Sequence, residues 1–514
     1  MPVAFSDNTI LRMSLRIAFY GFLFSCLCSC AIGNPTAGPL VASASLPVQA
    51  TSSFPIPSPT PTTDFGTITP TPLPSSTPIP LARPQYRIRA TLDTTLVSGS
   101  NDDPMTLTVH EEAAYPNLSH EPIQELVLQL EPSWRWDLFQ LQGISCDRAS
   151  QENPPTIHDG QLHIPLRSAL QPGESVSLSL DFQRKVAKEN TLLGWNDYQI
   201  VLGDWYAFFP LYREGQGWLA HPPGKVGEYL TFPYADFEID FDSPGDSGYQ
   251  LAASGIPDTD SSPWHFQFTG RSFAIALTKQ SLFRRTSGSV EVLAYAQPKY
   301  ESQGNSVADT ASQALALYSE RYGDYPHVRL TVLESELPDG MEFDGLVFLN
   351  PALFPEYTGD AKDYLTAITA HETAHQWWYG RVGNDQAVDP WLDEAFATYS
   401  ELLFYEKYHP SLTDWWWYIR VNRYPSDDCV DGSIYDFSTF RSYVDAVYLR
   451  GVTMLYVLRL RMGNSAFMDS LREIQTAGMG GYNTPQDVFA IFQSRSTQPL
   501  SDIWKQYLCH PPSG

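Results

Sequence analysis

Residues 371–394 read HETAHQWWYGRVGNDQAVDPWLDE, and within them His371-Glu372-Thr373-Ala374-His375 has the form H-E-x-x-H. On a helix, residues four apart project from one face, so the two imidazoles can converge on one ion. Two neutral imidazole nitrogens, a third ligand from elsewhere and a fourth position left to water are what zinc requires. A shuffled chain of this composition would contain H-E-x-x-H with an expectation of roughly 0.01, so the pattern is a strong signal before any context is added. The plain competing reading is a helix that happens to carry two histidines.

The surrounding pattern supplies the elements that must position these groups. The helix with both histidines is expected from about 361 to 380, and a second helix is expected to open at Asp389-Pro390, an N-cap followed by proline in the first turn, and to run through Glu394 to about 408. Two helices joined by a short loop could set Glu394, nineteen positions past His375, beside the imidazoles. A helix is expected over 306–322, closed by Gly323 and Pro326, then strands over 329–334 and 345–350 with 339–344 between them. Helical periodicity returns over 448–458, 465–476, 485–494 and 500–508, so this half reads as α+β or mixed α/β. Residues 86–285 alternate apolar and polar side chains in runs such as 86–92, 105–110, 126–130, 161–166 and 175–180, which predicts an antiparallel β sandwich or saddle. The aromatic stretch 205–212 reads as core or domain interface, and His110, His120, His158, His163, His221 and His265 lack ligand spacing.

The chain has 514 residues with 32 Lys and Arg against 58 Asp and Glu, a net charge of −26, which argues against a nucleic-acid partner. Arg12 and Arg16 precede an apolar run over 17–28, short for a membrane span but suited to an export signal. The run ends in Leu27-Cys28-Ser29-Cys30, which resembles the bacterial lipoprotein box and would make Cys30 the lipidated N-terminus; Cys26 is a second candidate, and an uncleaved anchor or a secretory signal is the alternative. Between Pro35 and Pro84 lie 13 prolines, with Asp64 and Arg83 the only charges over 31–84, so this segment reads as an unfolded tether. Extended at ~3.1 Å per residue, it would reach on the order of 150 Å. The expected division is therefore a lipoprotein signal over 1–30, a tether over 31–84, a β-rich domain over 85–285, a catalytic domain over 286–463 and a short helical segment over 464–514. Past Cys30 the cysteines are Cys146, Cys429 and Cys509, with no C-x-x-C pair, and export would permit a disulfide, expected between Cys429 and Cys509.

Three separated motifs then agree. H-E-x-x-H with the distal Glu394, the segment Asp339-Gly340-Met341-Glu342-Phe343-Asp344 and the segment Tyr448-Leu449-Arg450-Gly451 resemble, in order and spacing, the zinc aminopeptidase family typified by aminopeptidase N and leukotriene hydrolase. The resemblance runs over roughly 300–460 and implies a thermolysin-like α+β catalytic domain holding one zinc ion through His371, His375 and Glu394, with Glu372 as general base and Tyr448 as the donor to the oxyanion. It assigns Glu342, with Gly340 and Met341 on the same strand, to the substrate's free α-amino group, and so implies peptide substrates. Asp339 and Phe343 stand where the family has glycine and asparagine, and Asp393 and Ala395 flank Glu394 where it has asparagine and glycine. The short stretch after 463 leads us to expect a more open cleft than in long members. The expected function is a membrane-tethered extracytoplasmic aminopeptidase; the alternatives are an endopeptidase in which Glu342 no longer reads the amine, and a binding lipoprotein with a structural metal. Oligomeric state is not legible.

Overall fold

The computed structural model describes residues 83–94, 104–130, 132, 135–243, 248–337 and 340–512. The export signal, the tether up to residue 82, Cys26, Cys30 and Asp339 lie outside the described residues.

The β-rich half is built as expected from alternation, with one difference. Its largest sheet has six strands, ordered 264–270, 235–242, 85–93, 105–116, 175–186 and 139–146. Tyr86, Ile88, Ala90 and Leu92 point inward from Gln85–Asp93 and their neighbours outward. That strand pairs antiparallel with Met105–Pro116 but parallel with Ala235–Asp242, so the half is not purely antiparallel. A parallel pair needs a long crossover, and the chain between these strands supplies it by building two further sheets. Trp205, Tyr206, Phe208 and Phe209 are buried with Phe237 and Phe273 in one core, which makes the aromatic stretch core. His110, His120 and His265 pair with Asp181, Glu214 and Asp240.

The second half is a five-stranded mixed sheet ordered 281–287, 290–296, 329–334, 346–349 and 341–343. Strand Ser281–Ser287 already belongs to it, so the change of architecture falls before residue 281 and not at 285. Helix α1 (Glu301–Tyr322) covers the sheet through Ala308, Ala311, Ala314 and Leu315, small residues that allow close approach. Against α1 pack α2 (Tyr364–Ala374) and α3 (Trp391–Tyr408). The Tyr318 hydroxyl, buried on α1, lies 3.1 Å from the Ala370 carbonyl of α2 and 3.0 Å from the Ser400 carbonyl of α3. One side chain therefore fixes the mutual placement of the two helices. The helices after 463 share this core, since Phe467, Phe492 and Trp504 pack with Phe396 and Trp391. Cys429 and Cys509 form the expected disulfide. Among the described residues no helix is long and apolar enough to cross a membrane.

Two expected boundaries differ. Helix α2 ends at Ala374 and leaves His375 as its C-cap, where 380 was expected. Beyond it Gly380, Arg381 and Val382 donate to carbonyls five residues back, a widened turn that Tyr379 enters at φ +130°. Helix α3 starts at Trp391 without a side-chain cap; Asp389 accepts through its backbone carbonyl instead.

Candidate metal and catalytic site

Asp363 caps α2, its carboxylate accepting from Thr366 N at 2.8 Å, and the helix buries nearly every residue it has, both imidazoles included. Glu394 lies in the first turn of α3. The Nε2 atoms of His371 and His375 are 3.1 Å apart, and Glu394 Oε2 lies 3.2 Å from the first and 3.4 Å from the second. Ligands at about 2.0 to 2.1 Å from a tetrahedral ion stand roughly 3.3 Å apart, so the triangle has the size a zinc ion needs. The other ring nitrogens are spoken for: His371 Nδ1 is 2.9 Å from Glu401 Oε1, and His375 Nδ1 is 3.0 Å from the Trp378 carbonyl. With those protons directed at oxygen acceptors, both Nε2 lone pairs face the Glu394 carboxylate, a donor set that calls for a cation. The residues fit zinc.

The electrostatics agree. Burial opposes charge on His371, but the hydrogen bonds it donates to the Glu394 and Glu401 carboxylates outweigh it and carry its pKa up to about 9. His375 also moves up despite burial, through Glu394, Glu342 and Glu372. Burial alone would raise Glu394, yet His375 and His371 hold it below the usual carboxylate range. All three shifts express a demand for positive charge between these side chains.

Around this triangle stand the other expected groups. Burial, opposed by the two histidines, pushes Glu372 up to about 8, and its Oε2 has no hydrogen-bond partner among the described residues. A Cβ at Gly340 would fall on the Glu372 carboxylate, which explains a glycine there. Tyr448 stacks on the His371 ring at 5.7 Å between centroids, with its hydroxyl toward Glu394. It sits in a π-helical stretch, Val444–Arg450, where an ordinary helix was expected. Met341, Glu342 and Phe343 form the edge strand of the five-stranded sheet; Glu342 is buried, and its carboxylate feels His375, Glu394 and His371. The strand is tied to the end of α2 by Gln376, whose amide donates to the Phe343 carbonyl and accepts from Gly345 N. Phe343 lies buried with Leu346 and Phe348 in a small separate core.

Sequence reasoning missed three participants. Glu401 accepts from His371, from Trp416 Nε1 and twice from Arg420, all at 2.9 to 3.0 Å. Its signal was present, since Glu401 lies seven residues after Glu394 on the same helix face. Arg420 sits in a π-helical stretch with no sequence signature. Gln386 donates from one amide nitrogen to both Glu342 Oε1 at 3.2 Å and Asp393 Oδ2 at 3.0 Å.

An H-E-x-x-H motif at the end of one helix, a glutamate on the next helix and a mixed sheet whose edge strand borders this ligand set form the arrangement expected of a gluzincin-type zinc site. Comparisons with known proteins narrow this: residues 307–507 match the Peptidase family M1 domain. Aminopeptidase M1-D of Oryza sativa subsp. japonica is 24% identical over 249 residues, 45% of this chain and 28% of that protein. Endoplasmic reticulum aminopeptidase 2 of Homo sapiens is 34% identical over 140 residues, 26% of this chain and 14% of that protein. The match therefore spans less than a third of either relative's length. An M1 zinc metallopeptidase from Deinococcus radiodurans, solved as a mutant, shares the fold with a TM-score of 0.56 at 18% identity, covering 84% of this chain and 96% of that one. Over residues 307–507, the stretch that holds His371, Glu372, His375, Glu394 and Tyr448, the chain is similar to the Peptidase family M1 domain.

Proposed function

We propose that this chain is a zinc aminopeptidase, exported and tethered to a membrane, that removes residues from the free N-termini of peptides. The observation that carries the reading is the burial of the Glu342 carboxylate, 5% exposed, in the same cluster as His371, His375 and Glu394. A carboxylate held there pairs with a cation entering beside the metal set, which the α-ammonium of a peptide is.

His371, His375 and Glu394 hold the zinc, which when bound supplies a Lewis acid and brings a coordinated water's pKa toward neutrality. Glu372 accepts the proton of the attacking water and passes it to the leaving amine. Its unpartnered Oε2 is the free acceptor such a role needs. The Tyr448 hydroxyl donates to the oxyanion that develops on the scissile carbonyl. The edge strand with Gly340 and Met341 offers backbone groups to an extended peptide, and Glu342 fixes its first residue.

Hydrolysis of a peptide and its Nα-acetylated form tests this reading. Acetylation should lower kcat/KM on the order of 100-fold or more, because it leaves a buried carboxylate without its cation. Equal rates would discard the amine-reading role and leave a broader peptidase.

The tether and anchor rest on the sequence of residues 1–84, with Cys30 as the lipid site. Replacing Cys30 with alanine should move the protein from the membrane to the soluble extracytoplasmic fraction; unchanged membrane retention would remove the lipid from the proposal.

A further inference from the structure

We infer that Arg271, contributed by the β-rich half, is a positioning residue for the metal set: it holds the turn that orients His375. The inference rests on the metal-binding part of the proposed function and not on the substrate.

His375 is the C-cap of α2, at φ −62° and ψ −14°, and its Nδ1 is directed at the Trp378 carbonyl at 3.0 Å. That carbonyl shares a peptide plane with Tyr379 N, so its direction depends on Tyr379, which adopts φ +130°, a value β-carbons disfavour. Such a conformation persists only where the surroundings over-determine it. Here they do. Tyr379 N donates to Val382 O at 3.0 Å, its hydroxyl donates to Ser272 Oγ at 2.9 Å, and its carbonyl accepts from Arg271 Nε at 2.6 Å.

Arg271 is 2% exposed, and its other donors go to backbone carbonyls of two further segments: Nη1 to Phe232 at 2.7 Å and Nη2 to Gly481 at 2.7 Å. Its backbone N–H donates to Asp344 Oδ2 at 2.9 Å, two residues beyond Glu342. Asp344 Oδ1 in turn lies 2.7 Å from His327 Nε2. A Cβ at Gly383 would come within 2.6 Å of the guanidinium, so the chain opposite is a glycine. A planar guanidinium with donors fixed in a fork suits three carbonyls that must not shift relative to one another; a lysine ammonium would lose that geometry. The contacts run from Arg271 to the Tyr379 peptide, to the Trp378 carbonyl, to His375 Nδ1, and so to the ring whose Nε2 faces Glu394.

The test uses the full chain loaded with zinc, or with cobalt(II) as a spectroscopic stand-in. Arg271→Gln should release metal to a fixed concentration of chelator roughly 10- to 100-fold faster than wild type, the range for lost outer-shell support, and should alter the visible cobalt spectrum. Arg271→Lys should lie between. Tyr379→Phe, which keeps the carbonyl and loses only the hydroxyl bond to Ser272, should show a smaller acceleration of the same kind. Arg184→Gln, at a buried arginine in the β-rich core, should lower Tm while leaving metal release and the cobalt spectrum unchanged. If Arg271→Gln does not fold, the lysine and Tyr379 variants decide, and wild-type release rates and spectra in both overturn the inference. So does an Arg184→Gln effect on metal release as large as that of Arg271→Gln. The readout is metal retention, so failure to hydrolyse peptides would leave this inference standing and would fall on the proposed function alone.

Discussion

Each half of the molecule buries one glutamate completely, and the two behave in opposite ways. Glu401 in the catalytic half and Glu111 in the β-rich half are both 0% exposed. Burial, working alone, would raise both pKa values. For Glu401 it is overcome by Arg420 and His371, and the pKa falls to about 2. For Glu111 burial wins against one backbone donor, Ala207 N, and the charge of Arg184, and the pKa rises to about 8. Burial sets the penalty for a charge, and the number of donors aimed at it decides whether the charge survives. At Glu401 the catalytic half surrounds a carboxylate with cations and donors, whereas Glu372 of the same half, with no partner at Oε2, is raised to about 8 as Glu111 is; the β-rich half holds Glu111 as a neutral acid for most of the pH range. Working carboxylates and structural ones should therefore separate in experiment by what their loss affects.

The largest effect is expected where a carboxylate touches the reacting atoms. Glu372→Gln should keep stoichiometric zinc and lower kcat on the order of 1,000-fold, since a general base contributes about 100- to 10,000-fold. Full activity in that variant would break the comparison at its strongest point. Tyr448→Phe should lower kcat on the order of 100-fold with little change in KM, the signature of a donor used only in the transition state. A change confined to KM would assign Tyr448 to substrate binding.

Glu401→Gln comes next. It keeps an acceptor for His371 but removes the charge that Arg420 pairs, so zinc affinity should fall roughly 10- to 100-fold, read by chelator competition. Unchanged affinity would mean that the Glu401 cluster serves folding only, as Glu111 does.

How much of this was legible follows the range of the interactions. His371, Glu372, His375 and Glu394 were readable because helical period fixes how residues four apart face one another, and the structure brings them together. Alternation likewise exposed Gln85–Asp93 and its neighbours, but could not show that it pairs parallel with Ala235–Asp242, because pairing partners 150 residues apart leave no local trace. The C-terminal end of α2 was misplaced for a physical reason: Trp377, Trp378 and Tyr379 continue an apolar pattern, while the helix is broken by a turn held from outside by Arg271. Glu401 was within reach, on the same face as Glu394. Arg420 and Gln386 were not, since one sits on a π-helical stretch and the other on a loop, and only tertiary packing aims them at Glu401 and at Glu342.

The smallest effect on catalysis is expected at Glu111, where the comparison can be sharpened by pH. Its carboxyl is raised in the folded protein from the ordinary value to about 8. The folded state thus binds a proton that the unfolded chain releases, so its contribution is fully present below the unfolded pKa, near 4.3, and is lost as pH rises to about 8. Glu111→Gln keeps an oxygen for Ala207 N and cannot ionise. It should match wild-type stability near pH 5 within about 1 kcal/mol and exceed it by on the order of 3 to 4 kcal/mol at pH 9, with peptidase activity unchanged at both. Denaturant midpoints at the two pH values measure this. A variant less stable than wild type at pH 9 would mean that Glu111 is ionised and paired with Arg184, in which case the β-rich half holds buried charge by the same means as the catalytic half and the contrast between them disappears.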